Sequence, residues 1–299
     1  MASYETVNDQ YIKVGDITFA YRLFGSSHGI PLVCVTGFRE HMDHWDPALL
    51  NPLAAQRPVL LIDNAGIGRS GGDIPDTLTE WATHYVNVIH ALGFRRVDLL
   101  GFSMGGCVVQ LVALNTPDLV RRLILCGTGP SSGEGYVNPE PRPFKDLKSA
   151  NTVERILAVY LANFFTEDSE RSQAAGRAAW ERITNARSER LPHIPPEAAH
   201  KQTRAYAKFM DPKNAQTATY NRLHELRLPV LIANGSNDIM MPTANSILMW
   251  QKLKSVDAQL HLYPDSGHGF FYQYADEFAT LVNGFLGTDA TGRVTSSRL

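Results

Sequence analysis

The sequence predicts an α/β fold, with a mostly parallel central sheet flanked by helices and interrupted by an inserted helical segment. Three observations carry this expectation. Short apolar runs at 31–35, 59–62, 97–100 and 123–126 alternate with helical stretches, the pattern of parallel strands joined by crossovers. These runs are apolar at nearly every position, as strands covered on both faces must be. After Gly127 the alternation stops, and no further strand is predicted until Val230.

In chain order, residues 17–23 alternate apolar and polar side chains, which suits a strand with one buried face, and 25–29 supply a turn. A short helical stretch separates 31–35 from 59–62. From Leu78, the positions Trp81, Ala82, Tyr85, Val86, Ile89 and Leu92 recur at helical spacing, and Gly93 stops the helix. Residues 105–115 read as a helix ended by Pro117. Residues 129–143 are then rich in Gly, Pro and Ser. Beyond them Val153, Ile156, Leu157, Tyr160, Leu161 and Phe164 mark one helix face, and 174–183, 196–210 and 215–226 predict three more helices. Strand 230–234, helix 244–253, strand 259–263 and helix 275–286 resume the alternation. The predicted organisation is a discontinuous core of 1–130 and 227–288, a helical cap over 131–226, and a polar tail over 289–299.

Composition narrows the function classes. A hydrophobic fraction of 44% supports a sizeable core, and no apolar run reaches the roughly 18 residues a membrane span needs. The 28 basic and 30 acidic residues are mixed along the chain, so neither nucleic acid nor an anionic membrane is an expected partner. The opening residues are polar and acidic, unlike a secretory signal, and an intracellular protein is expected. Cys34, Cys107 and Cys126 each sit among apolar residues and are expected as buried thiols, not as a disulfide or metal site.

The chemistry is concentrated in Gly101-Phe102-Ser103-Met104-Gly105-Gly106, which follows an apolar strand and opens a helix. A sharp strand-to-helix turn strains its central residue and crowds the neighbouring backbone, so small residues are needed around it. A serine hydroxyl near neutral pH needs a base to take its proton and a carboxylate to orient that base. Both stand downstream: Asp238 just beyond strand 230–234, and His268 in the Asp-Ser-Gly-His-Gly sequence after strand 259–263. Loops beyond strand carboxyl ends are where ligands gather on open α/β sheets. Asp63 and Asp265 read as turn residues, since aspartate readily bonds local backbone.

With its serine, acid and histidine in that chain order, the sequence resembles the α/β-hydrolase family across nearly its whole length. The Asp63-to-Ser70 stretch is similar to the family's D-x-x-G-x-G-x-S turn. The resemblance implies Ser103 as nucleophile, His268 as base and Asp238 as the orienting acid. Some family members place the acid one strand earlier, but here Gly127-Thr128-Gly129-Pro130 offers no carboxylate before Glu134. It also implies an oxyanion hole from the backbone N–H groups of Met104 and Phe38. Thr36 stands where the family usually has histidine, in Thr36-Gly37-Phe38.

The expected activity is that of a serine hydrolase on a small-molecule ester, thioester or lactone, with no cofactor required. Transfer of the acyl group to an alcohol, including lactone formation, and a ligand receptor on the same fold are the alternatives. The mixed polar run from Arg39 to Trp45 reads either as pocket lining or as a solvated loop; His41 and His44 in it lack a metal motif. Tyr160, Phe164, Phe165, Trp180 and Tyr206 read as the cap's own core or as pocket lining. The terminal Ser297-Arg298-Leu299 is close to a peroxisomal address, so peroxisome and cytoplasm are both expected locations.

Overall fold

The computed structural model describes residues 2–287; the tail with Ser297-Arg298-Leu299 lies outside the described residues. Eight strands form one sheet in the order β1-β2-β4-β3-β5-β6-β7-β8. The strands are β1 (Gln10–Val14), β2 (Ile17–Gly25), β3 (Leu32–Val35), β4 (Pro58–Ile62), β5 (Val97–Phe102), β6 (Val120–Cys126), β7 (Val230–Gly235) and β8 (Ala258–Tyr263). The β1–β2 and β2–β4 pairs are antiparallel and the rest parallel.

Two apolar layers clamp this sheet because successive strand residues point to opposite faces. Val33 and Val35 join Leu99, Leu123 and Leu125 on the face covered by α2 (Leu78–Ala91) and α3 (Met104–Asn115). Leu32 and Cys34 join Leu100, Ile124 and Leu231 on the other, against α1 (Pro47–Ala54) and α10 (Ala275–Gly287). All three cysteines are free and buried in these layers. α8 (Thr243–Lys252) connects β7 to β8, and a short α9 (Phe270–Gln273) precedes α10. No helix among the described residues is long and apolar enough to cross a membrane.

Between β6 and β7 the chain leaves the sheet to form α4 (Pro141–Ser149), α5 (Val153–Phe164), α6 (Glu170–Asn185) and α7 (Pro196–Met210). The two ends of this excursion are clasped together. Ser131 N–H donates to Thr219 Oγ1 at 3.0 Å, while Ser131 Oγ accepts from the N–H groups of Thr219 (3.1 Å) and Tyr220 (2.9 Å). That clasp explains one departure from expectation. The helix predicted over 215–226 is absent; the region holds 3-10 turns at Pro212–Asn214 and Tyr220–Glu225, because Ser131 takes backbone donors that a helix would need. Besides the short α9, β1 and α4 escaped the sequence reading. β1 is an edge strand only partly covered, and α4 carries two prolines in its first turn.

Candidate active site

Register brings the predicted residues to one edge. Phe102 pairs with Cys126 in the β5–β6 ladder, Cys126 with Ala233 in β6–β7, and Gly235 with Tyr263 in β7–β8. The loops after β5, β7 and β8 therefore emerge side by side at the carboxyl ends of the strands. The Val35–Gly101 pair does the same for the loop after β3.

Ser103 sits between β5 and α3 with φ 54° and ψ −122°, a conformation that side chains rarely adopt. Thr128 Oγ1 holds the turn by donating to the Ser103 carbonyl at 2.7 Å, and Gly106 N–H donates to the same oxygen at 2.9 Å. The turn also demands glycine on steric grounds. A Cβ at Gly105 would lie 2.4 Å from the Val35 and Thr36 carbonyl oxygens, and one at Gly101 would lie 2.6 Å from the Gly105 oxygen.

Asp238 and His268 meet. His268 Nδ1 lies 2.8 Å from Asp238 Oδ2, and Asp238 Oδ1 accepts the N–H groups of Met240 and Met241, both at 2.8 Å. The carboxylate is thus fixed by its own loop, and the imidazole by the carboxylate. Phe102 and Phe164 flank the imidazole with centroids 4.6 and 5.2 Å away. His268 Nε2, the nitrogen turned away from Asp238, is buried without a hydrogen-bond partner among the described residues.

Ser103, Met104 and Phe38 line one chamber of about 200 Å³, together with Phe144, Tyr206 and Met241. Neither Phe38 N–H nor Met104 N–H makes a hydrogen bond among the described residues. Phe38 also forms a wall of a second, smaller chamber of about 60 Å³, lined by Glu40, Tyr160, Phe164, Trp180 and Tyr272 among others. Beyond it, Arg39, Trp180, Arg190 and His193 border an outer vestibule of about 480 Å³.

The Arg39-to-Trp45 run is not a solvated loop. Arg39, His41, Asp43, His44 and Trp45 are all buried. Arg39 has φ 64° and spends its donors on the excursion: its N–H reaches Gln202 Oε1 at 2.9 Å, Nη2 reaches the Ile194 carbonyl at 2.7 Å, and Nη1 the carbonyls of Leu147 and Ala150. Asp43 bonds Arg22 at 2.5 Å and Arg69 at 2.8 Å, and these guanidinium groups hold its carboxyl low, at about 2, against the opposing effect of burial. His44 Nε2 lies 2.9 Å from His193 Nδ1, and His41 Nε2 lies 3.0 Å from the Pro192 carbonyl. Glu40 accepts Gly37 N–H at 2.8 Å, and burial pushes its carboxyl up to about 7.

Tyr160, Phe164, Trp180 and Tyr206 line chambers, whereas Phe165 packs in the apolar core. Asp63 bonds the backbone of Met42 and Arg69, each at 2.8 Å. Asp265 occupies a left-handed turn position, but its carboxylate accepts from Ser169 of the excursion at 2.6 Å rather than from local backbone. Sequence reasoning did not single out Glu40, Arg190 or His193. Glu40, two residues after the oxyanion candidate, reads only as part of the Arg39-to-Trp45 run that lines the pocket or is solvated; nothing local marks the other two.

A family model for the alpha/beta hydrolase fold matches residues 30–274, and the chain belongs to that family. Among curated proteins it is 27% identical to RutD of Azorhizobium caulinodans, a carbamate hydrolase by name, covering 93% of this chain and 98% of that one. It is also 27% identical to a 2-hydroxymuconate semialdehyde hydrolase of Pseudomonas, covering 88% of this chain and 89% of the relative. A solved α/β hydrolase fold protein from Chitinophaga pinensis superposes with a TM-score of 0.84 at 32% identity, over 96% of this chain and 100% of its own. The chain is accordingly a hydrolase on this fold.

Proposed function

We propose that the protein is a serine hydrolase acting through an acyl-enzyme on an ester, thioester or lactone of a small organic acid. The observation that carries the proposal is the Asp238–His268 bond, with the far imidazole nitrogen left unpaired among the described residues and Ser103 at the carboxyl end of β5 in the same sheet. In this reading Ser103 Oγ bonds to the substrate carbonyl carbon while its proton passes to His268 Nε2. The carbonyl oxygen takes up the electron pair and is held by the Phe38 and Met104 N–H groups. Collapse expels the alcohol or thiol, which takes the proton from His268. Water then repeats the sequence on the acyl-serine and releases the acid.

The apolar lining of the Ser103 chamber supports a second reading, in which an alcohol intercepts the acyl-enzyme and gives an ester or lactone. Product analysis with a hydroxyacyl thioester separates the two. Intact mass after incubation with a fluorophosphonate tests both. Native protein is expected to gain one adduct, and Ser103→Ala none. A folded native protein that stays unlabelled by a probe shown to enter the chamber overturns the acyl-enzyme and leaves the ligand-receptor reading. The substrate screen should include carbamates, because of the name of the Azorhizobium relative.

A further inference from the structure

The smaller chamber has a polar floor. Tyr160 presents a buried hydroxyl without a partner among the described residues, and Glu40 uses one carboxyl oxygen on Gly37 N–H. A hydroxyl buried without a partner is costly, and an oxygen of a molecule bound in the chamber would satisfy it. Glu40, Tyr160 and Tyr272 line the chamber together, the two tyrosine rings with centroids 6.5 Å apart, whereas Arg190 and His193 stand where the chamber meets the vestibule.

This floor lies close to the reacting serine. The point that a Cβ on Gly37 would occupy is 3.0 Å from Ser103 Cβ and 3.1 Å from Glu40 Oε2. It also lies on the histidine side, because Phe164 lines the chamber and packs on the His268 ring. The departing alcohol takes its proton from His268, so its substituents extend toward that side, while the acyl chain has the larger chamber under Met104, Tyr206 and Met241.

Resting on the serine-hydrolase reading, we infer that the smaller chamber is a leaving-group subsite that recognises a neutral oxygen function, hydroxyl or carbonyl, through the Tyr160 hydroxyl and the Glu40 carboxyl. The substrate class is then an ester, thioester or lactone whose alcohol or thiol portion carries a second oxygen. Burial keeps the Tyr160 proton in place by raising its pKa well above the ordinary value, so the group donates. Glu40 in its acid form donates as well, and once ionised it repels a carboxylate.

The test compares kcat/KM for an n-butyl ester, its isosteric ω-hydroxypropyl ester and an ω-carboxypropyl ester of one acid. Native protein is expected to prefer the hydroxypropyl ester by about tenfold, the scale of one well-made hydrogen bond. In Tyr160→Phe and in Glu40→Met, which leaves no donor at position 40, that ratio should fall toward one. Fluorophosphonate labelling and near-ultraviolet circular dichroism verify that each variant is folded and reactive. An unchanged ratio in both folded variants, or a preference for the carboxypropyl ester, overturns the subsite. Hydrolysis that survives Ser103→Ala overturns instead the reading beneath it.

Discussion

The two flanks of Ser103 are secured by different kinds of contact. On the acid–base flank, Asp238 is held by N–H groups two and three residues further along its own loop, and His268 is held by Asp238. On the oxyanion flank, Phe38 is followed by Arg39, whose donors reach carbonyls and an amide more than a hundred residues away. The first arrangement is made between loops of the sheet edge, and the excursion touches it through Gly269 N–H on the Phe164 carbonyl at 2.7 Å and through the Phe164 ring on His268. The second is complete only when the excursion between β6 and β7 is docked. In the proposed mechanism the base is therefore oriented by a carboxylate on a neighbouring loop, while the placement of Phe38 is linked through Arg39 to the docked excursion.

The largest expected effect breaks the acid–base flank. Asp238→Asn should lower kcat by about 10⁴-fold, since an orienting carboxylate fixes the tautomer and stabilises the imidazolium. Steady-state kinetics on the best ester measures it, and a loss below tenfold would remove Asp238 from the role. Next comes the linked flank. Arg39→Met should lower kcat about 10- to 100-fold, less than the 10²–10³ of losing an oxyanion donor outright. Amide exchange in α4 should rise at the same time. If activity falls while α4 stays protected, the link between closure and the oxyanion loop is wrong.

A smaller effect sharpens the comparison by loosening the covering segment away from the oxyanion loop. Arg182 on α6 reaches Asp46 at 2.6 Å, where Asp46 caps α1. Arg182→Ala should lower stability to denaturant by about 1–2 kcal/mol, below the figure for a fully buried pair because the guanidinium is partly solvent-screened. The remaining effect is a pH slope. Glu40 binds its proton more tightly in the folded protein, up to about 7 against an ordinary 4.5, so the folded state holds more protons between those values. Stability then falls as pH rises through that window and levels off above it, by about 3 kcal/mol at most. Chemical denaturation of native protein and Glu40→Gln at pH 4.5 and 7.5 should show the slope in the first and its reduction in the second.

What the sequence made legible follows the same division. Central strands announce themselves because both faces are covered, and Ser103, Asp238 and His268 stand in short motifs whose neighbours do the positioning. The Arg39-to-Trp45 run could not be read in this way. Its buried charges are stabilised by partners such as Arg22, Arg69 and the Ile194 carbonyl, which no local pattern connects to it. Likewise Tyr160 and Phe165 both read as cap core or pocket lining, but only packing decides that the first lines a chamber and the second lies in the core. The 215–226 misreading has the same origin, a single distant serine.

The Ser131–Thr219 clasp has a consequence for how such a chain can change. Because departure and return occur at one doorway, the register of β6 on β7 is independent of what lies between. Chain-closure entropy rises only as the logarithm of length, about 0.6 kcal/mol for each doubling. The roof over Ser103 can thus lengthen or shorten with little penalty to the sheet beneath it, so long as the segments that hold Arg39 are kept.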